Sequence, residues 1–192
     1  MKKIVLILGH PASDSFNRAL LDAYKRGALS QGAEVRELHL GEMSFDPNLA
    51  FGYRGSQPLE PDLVQAQELI RWAEHLVFFY PSWWGTMPAL LKGFIDRVFL
   101  PGFGFKYRKG SSLWDKLLAG RTARLVVTMD APVWYYYLVQ GRPGHKAMKQ
   151  AILEFCGIKP VRVTNIAEVR KSSDALRSKW LSQAENLGKR MI

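Results

Sequence analysis

Two adjacent indoles, Trp83 and Trp84, stand in the loop-like stretch Tyr80-Pro81-Ser82-Trp83-Trp84-Gly85-Thr86-Met87-Pro88. Successive residues point apart, so one core does not cover both rings, whereas a flat aromatic ligand would. Stacking on such rings, with loop N–H groups aimed at the ligand's polar edge, is a way to hold a flavin ring. A helix-packing or dimer-interface pair would also account for them. A second run, Thr128-Met129-Asp130-Ala131-Pro132-Val133-Trp134-Tyr135-Tyr136-Tyr137, sets four aromatics in a row. They cannot all be buried within one strand, so they line a planar-substrate pocket, meet a partner subunit, or do both. Asp130 is either a pocket acceptor or a turn former. A third stretch, Gly9-His10-Pro11-Ala12-Ser13-Asp14-Ser15-Phe16-Asn17, offers hydroxyls and an amide directly before a helical pattern. A helix start has unpaired N–H groups and a partial positive charge, and so can hold a phosphate without a lysine. Equally, Ser13, Asp14 or Ser15 caps the helix.

The elements that must position these stretches follow from apolar periodicity. Short apolar runs at Lys3 to Leu8, Val35 to Leu40, His75 to Tyr80, Ala123 to Met129 and Val161 to Ile166 read as strands. Between them lie helical patterns at Phe16 to Ser30, Asp62 to Ala73, Pro88 to Val98, Gly144 to Phe155 and Ser173 to Lys189. Alternating strands and helices give a doubly wound parallel α/β sheet with right-handed crossovers. In such a sheet ligands bind beyond the carboxyl ends of the strands, where all three stretches fall. No G-x-G-x-x-G follows the first strand and no Walker sequence occurs, so the Rossmann and P-loop readings fail. Gly41 to Pro61 and Pro101 to Gly120 are too long for simple turns, and long loops of this kind are often functional.

With 192 residues and no internal repeat or linker, the chain is expected to form one domain, residues 1–192. At 47% hydrophobic and 23% charged residues it is neither disordered nor fibrous. No apolar run approaches a membrane span, and the run after Met1-Lys2-Lys3 is too short for a signal peptide. Cys156 is the only cysteine, which excludes an intrachain disulfide and a Cys-based zinc site and points to the cytoplasm. The net charge of +10 is uneven: ten Lys and Arg stand against eleven Asp and Glu in residues 1–103, but seventeen against six in 104–192. A basic half suits anionic small ligands, nucleic acid or a membrane surface, or is simply solvated helix faces.

Three motifs carry a family resemblance: His10-Pro-x-x-x-Ser15-Phe16-Asn17, Phe79-Tyr80-Pro81-x-Trp83-Trp84, and Pro88-Ala-x-Leu-Lys92-Gly93-x-Ile-Asp-Arg97-Val98-Phe99. Together they resemble the flavodoxin-like NAD(P)H quinone reductases over nearly the whole chain. The resemblance implies a five-stranded parallel sheet in order 2-1-3-4-5, a bound flavin (FAD, with FMN the alternative), and a homodimer with two sites at its interface. His10, Ser15, Phe16 and Asn17 would hold the phosphate portion. Pro81, Ser82, Trp83, Trp84 and Gly85 would lie along the isoalloxazine, and Thr128, Asp130, Ala131 and Pro132 would meet its pyrimidine edge. Where family members often carry Thr-Thr-Gly-Gly, this chain has Thr128-Met129-Asp130-Ala131. Tyr136 matches the family's catalytic tyrosine. Six residues on stands Arg142, a source of fixed positive charge, and the nearest histidine is His145. The implied activity is hydride transfer from NAD(P)H through flavin N5 to a quinone or similar acceptor by a ping-pong mechanism, with Tyr136 and His145 as catalytic residues and no metal. Competing classes are a non-enzymatic electron carrier, a regulatory flavoprotein subunit, and a nucleic-acid module using Lys106, Arg108, Lys109, Lys116, Arg121 and Arg124. No recognition motif accompanies that cluster, and no nucleic-acid partner is expected.

Overall fold

The computed structural model describes residues 1–55 and 57–191; Ser56, within the long Gly41 to Pro61 stretch, and Ile192 lie outside the described residues. Five strands, β1 (Lys3–Leu8), β2 (Glu34–His39), β3 (His75–Pro81), β6 (Thr122–Thr128) and β7 (Val161–Ile166), form one parallel sheet in the order β2-β1-β3-β6-β7. Counting only these strands, that is the expected 2-1-3-4-5 order. The central strands alternate cleanly. Val5, Ile7, Leu76, Phe78, Tyr80, Leu125 and Val127 enter one core, under helices α2 (Pro61–Trp72) and α3 (Ala89–Val98). Ile4, Leu6, Leu8, Val77, Phe79 and Val126 enter the other, under α1 (Phe16–Ser30) and α6 (Asp174–Arg190). Covering both faces is what makes the strands continuous apolar runs.

The structure adds three features to the expected elements. Inside the Pro101 to Gly120 stretch, β4 (Phe105–Tyr107) and β5 (Trp114–Lys116) pair antiparallel as a separate hairpin. The four-aromatic run, given no element by the sequence, forms a short helix, α4 (Val133–Leu138), opened by Pro132. The helix expected over Gly144 to Phe155 begins as α5 (Pro143–His145) and continues in π-helical form over Lys146–Glu154. Its two buried side chains, Met148 and Leu153, are five residues apart, and the five-residue hydrogen-bond step brings such positions to one face. Among the described residues no helix is long and apolar enough to cross a membrane, and no group of His, Cys, Asp and Glu is placed to hold a metal ion.

Candidate active site

At the carboxyl end of the sheet the departing loops are tied together by backbone. Gly9 N–H donates to Phe79 O (2.8 Å), Ser82 N–H to Thr128 O (2.7 Å), and Met129 N–H to Ile166 O (2.9 Å). The loops after β1, β3, β6 and β7 therefore leave as one row. They enclose a cleft of about 210 Å³ lined by His10, Ser15, Phe16, Asn17, Pro81, Ser82, Trp83, Thr128 and Asp130, with Met129 and Val169 completing the wall.

Helix α1 opens into this cleft. Ser15 is its N-cap: the hydroxyl accepts from Arg18 N–H (3.3 Å), and the carbonyl accepts from Arg18 and Ala19 N–H. The N–H groups of Phe16 and Asn17 have no partner within the helix, and no acidic residue lies in its first turn to neutralise them. Asn17 is 3% exposed, and its Nδ2 donates to Thr128 Oγ1 (3.0 Å). Among the described residues its Oδ1 is buried without a partner, although buried polar atoms are nearly always satisfied.

The tryptophan pair separates in a tight turn. Trp83 N–H donates to Thr86 O (2.9 Å) and Thr86 N–H to Trp83 O (3.0 Å), while Trp84 and Gly85 have φ of +51° and +75°. Two central residues with positive φ are what a type I′ turn requires. For a tryptophan that conformation costs on the order of 1 kcal/mol. The turn sets Trp83 against His10, edge to face at 5.7 Å, and throws Trp84 entirely into solvent.

On the far side of this turn, α4 and α5 build a second layer. Tyr136, 1% exposed, donates its hydroxyl to Gly85 O (3.0 Å) and accepts from Gly144 N–H (3.1 Å). Burial raises its pKa. A side chain on Gly144 would meet Gly85 O, Thr86 Cα and the Tyr136 hydroxyl, each at 2.9 Å, so only glycine lets these three segments close together. The His145 ring packs on Tyr136 at 4.9 Å and on Tyr137 at 5.7 Å; it is 5% exposed, with both ring nitrogens unpartnered among the described residues. Burial, and then the charge of Arg142, lower its pKa to about 4. Trp134 is exposed and Tyr135 partly so.

Of the sequence-derived candidates, His10, Ser15, Phe16, Asn17, Pro81, Ser82, Trp83, Thr128 and Asp130 share the cleft wall, whereas Trp84, Gly85, Ala131, Pro132, Tyr136 and His145 do not line it. Tyr136 and His145 do meet each other, behind the Gly85 turn. Asp130 both lines the cleft and ties down a turn, accepting from Arg170 N–H (2.9 Å). Met129 and Val169 were missed. Val169 follows β7, and the rule that ligands lie beyond strand ends applies to that loop as to the others.

The model of the flavodoxin-like fold family (Flavodoxin_2) matches residues 2–187. An uncharacterized NAD(P)H oxidoreductase of Haemophilus influenzae is 27% identical over 186 residues, covering 94% of this chain and 91% of its own. NAD(P)H dehydrogenase (quinone) 1 of Rattus norvegicus is 26% identical over 182 residues, covering 82% of this chain and 65% of its own. The chain spans about half to two thirds of the length of several curated relatives it matches. The crystal structure of Smu.1420 from Streptococcus mutans superposes with a TM-score of 0.84 at 32% identity, over 99% of this chain and 100% of that one. With the sheet order, the cleft at its carboxyl end and a family match over nearly its full length, the chain belongs to the flavodoxin-like fold family.

Proposed function

We propose that this protein is a flavin-dependent NAD(P)H:quinone oxidoreductase, with FAD as its cofactor and FMN as the alternative that shares ring and first phosphate. The observation that carries the reading is the cleft in which the uncapped N–H groups of Phe16 and Asn17, the unpartnered Oδ1 of Asn17 and the Trp83 ring converge. These residues fit a flavin. The α1 terminus suits a phosphate, Asn17 Oδ1 suits a hydroxyl or N–H donor, and Trp83 offers an aromatic wall for a flat ring. Relatives named NAD(P)H oxidoreductase and quinone dehydrogenase support the same reading.

Bound flavin would supply the redox chemistry, taking hydride from NAD(P)H at N5 and passing it to a quinone or similar small acceptor by a ping-pong route. The chain's own task is placement and electrostatics. Phe16 and Asn17 hold the tail, and the Ser82–Thr128 backbone bond fixes the loops on either side of the cleft. Tyr136 keeps its proton, raised in pKa by burial, and holds the Gly85 carbonyl in place through it. His145 is neutral near pH 7, so one ring nitrogen is a hydrogen-bond acceptor and the other a donor. Arg142 adds fixed positive charge beside it.

The exposed Trp84, Trp134, Tyr107 and Leu113 favour a homodimer whose second copy completes the site. The single buried cysteine, Cys156, suits a reducing cytoplasm. An absorption spectrum of the purified protein before and after anaerobic NADPH, followed by release and identification of the chromophore, tests the assignment. Visible bands that bleach, and steady NADPH consumption with a quinone, are expected. A colourless protein that takes up neither FAD nor FMN would overturn it.

A further inference from the structure

A concentration of positive charge lies outside the cleft. Between β7 and the π-helical segment runs a groove of about 520 Å³, walled by Arg142, Lys146, Lys149 and Arg162 together with Tyr137 and His145, and lacking any acidic side chain in its lining. Lys149 reaches Glu154 only at 3.9 Å. Arg142, Lys146 and Arg162 have no carboxylate partner among the described residues. Lys146 and Lys149 share one helix face, yet Arg162 comes from the facing strand. A solvated helix face accounts for the first two and not for a third cation turned toward them. Like charges gathered across a concavity repel, and a bound anion removes that cost.

Two further observations point to a ligand. His145, which lines the groove, is buried with both ring nitrogens unpartnered. Arg142 is held with φ of +50°, an uncommon conformation for a side-chain-bearing residue, with its guanidinium over the Tyr137 ring at 5.1 Å. The positive field is felt nearby: after burial, Arg142 is the cause that lowers the His145 pKa, and Arg162 contributes to lowering that of Arg124.

The groove's size falls within the roughly 300–1,000 Å³ of small-molecule pockets. Arginine and lysine on both walls match phosphate oxygens. Through His145 and Tyr136 it adjoins the turn at Gly85, which flanks the cleft. We propose that this groove binds the 2′-phosphate of the reduced pyridine nucleotide and so makes the protein select NADPH over NADH. The selectivity rests on the oxidoreductase reading; the phosphate site does not. A concave groove of this size suits a compact phosphate ligand better than a duplex, which needs an extended basic surface.

The test is a calorimetric titration of the flavin-loaded protein with 2′,5′-ADP, compared with a variant carrying Lys146→Glu and Arg162→Glu, two exposed positions. Unchanged far-UV circular dichroism and flavin content of the variant would show that it folds. Affinity for 2′,5′-ADP should fall about tenfold or more and KM for NADPH should rise in proportion, while kcat and KM for NADH stay within about twofold. Equal 2′,5′-ADP affinity in both proteins, or equal weakening of NADPH and NADH, would overturn the proposal. So would displacement of 2′,5′-ADP by short duplex DNA at the same salt, which would assign the groove to nucleic acid. If the protein oxidises neither nucleotide yet binds 2′,5′-ADP in a manner that depends on Lys146 and Arg162, the redox reading falls and the phosphate site stands.

Discussion

Asn17 holds together two stretches more than a hundred residues apart, because its Nδ2 donates to Thr128 Oγ1, while its Oδ1 is buried without a partner among the described residues. In the sequence it is one amide among several hydroxyls; only folding shows that it is the buried one. Tyr136 is similar, since its residue type and place in the motif were legible, whereas its hydroxyl's attachment to Gly85 O and Gly144 N–H was not. Tyr136→Phe should cost about 1–2 kcal/mol in denaturant unfolding, the usual penalty for a lost buried hydrogen bond. Combined with His145→Ala it should slow both half-reactions in stopped-flow measurements; unchanged rates would remove both residues from the mechanism. Two histidines make stability depend on pH. Burial holds His75 near a pKa of about 3 and His145 near about 4, both below the usual 6.5. Unfolding therefore takes up protons below pH 6.5. The folded state keeps this contribution in full above 6.5 and loses it as pH falls toward 4, by up to about 1.4 kcal/mol per pH unit for each histidine. Urea titrations at pH 7, 6 and 5 should show that fall, and His145→Gln should reduce its slope.

Among the elements, α1 and α6 meet through glycine. A Cβ on Gly188 would lie 2.0 Å from Tyr24 O, and one on Gly27 would lie 2.0 Å from Glu185 O. The two backbones touch, and no rearrangement of side chains relieves the clash. Gly188→Ala should therefore destabilise by at least about 2 kcal/mol, lowering the melting temperature by about 4–8 °C in calorimetry, with flavin content unchanged at low temperature. Arg97 explains how the long Gly41 to Pro61 stretch is held. Its fully buried guanidinium donates to Asp46 O, to Pro58 O (2.9 Å) and to the Glu60 carboxylate (2.8 Å). Arg97→Ala should cost about 1–3 kcal/mol, because the Asp46 and Pro58 carbonyls lose their charged donor, and should release this stretch to limited proteolysis before global unfolding. The helices and strands themselves were legible because each carries its own apolar period. The β4–β5 hairpin was not, because Phe105 is the only residue of its two strands that is buried. A polar run with one anchor leaves no period to read. The π-helical form of Lys146–Glu154 was hidden for a related reason, since a few apolar residues fit more than one helical step.

For the whole molecule, the charge asymmetry seen in the composition gains a location. Much of the excess flanks the groove beside β7, while Arg108 is neutralised by Asp115 within the hairpin region. A second hollow of about 520 Å³, lined by α3, the hairpin residues Phe105 and Tyr107, and Phe155, lies beneath exposed apolar side chains on the same hairpin region. If this face joins two copies, Tyr107→Asp with Leu113→Asp should shift sedimentation from dimer to monomer and lower quinone turnover; a monomer already in the unmodified protein would refute the homodimer. The amino-acid order alone determined the class of fold, because short apolar runs alternating with helical periodicity are local properties that survive any arrangement of loops; the strand order followed from the family resemblance carried by the three motifs. It also determined which three loops meet, since doubly wound topology sends every strand's carboxyl end to one edge. Only the tertiary structure decided which side chains within those loops face the cleft, that Trp83 turns inward while Trp84 turns out, and that cations from β7, the π-helical segment and the residue before α5 share one groove. Those outcomes depend on φ in a single turn and on contacts between residues far apart in the chain, neither of which has a local signature.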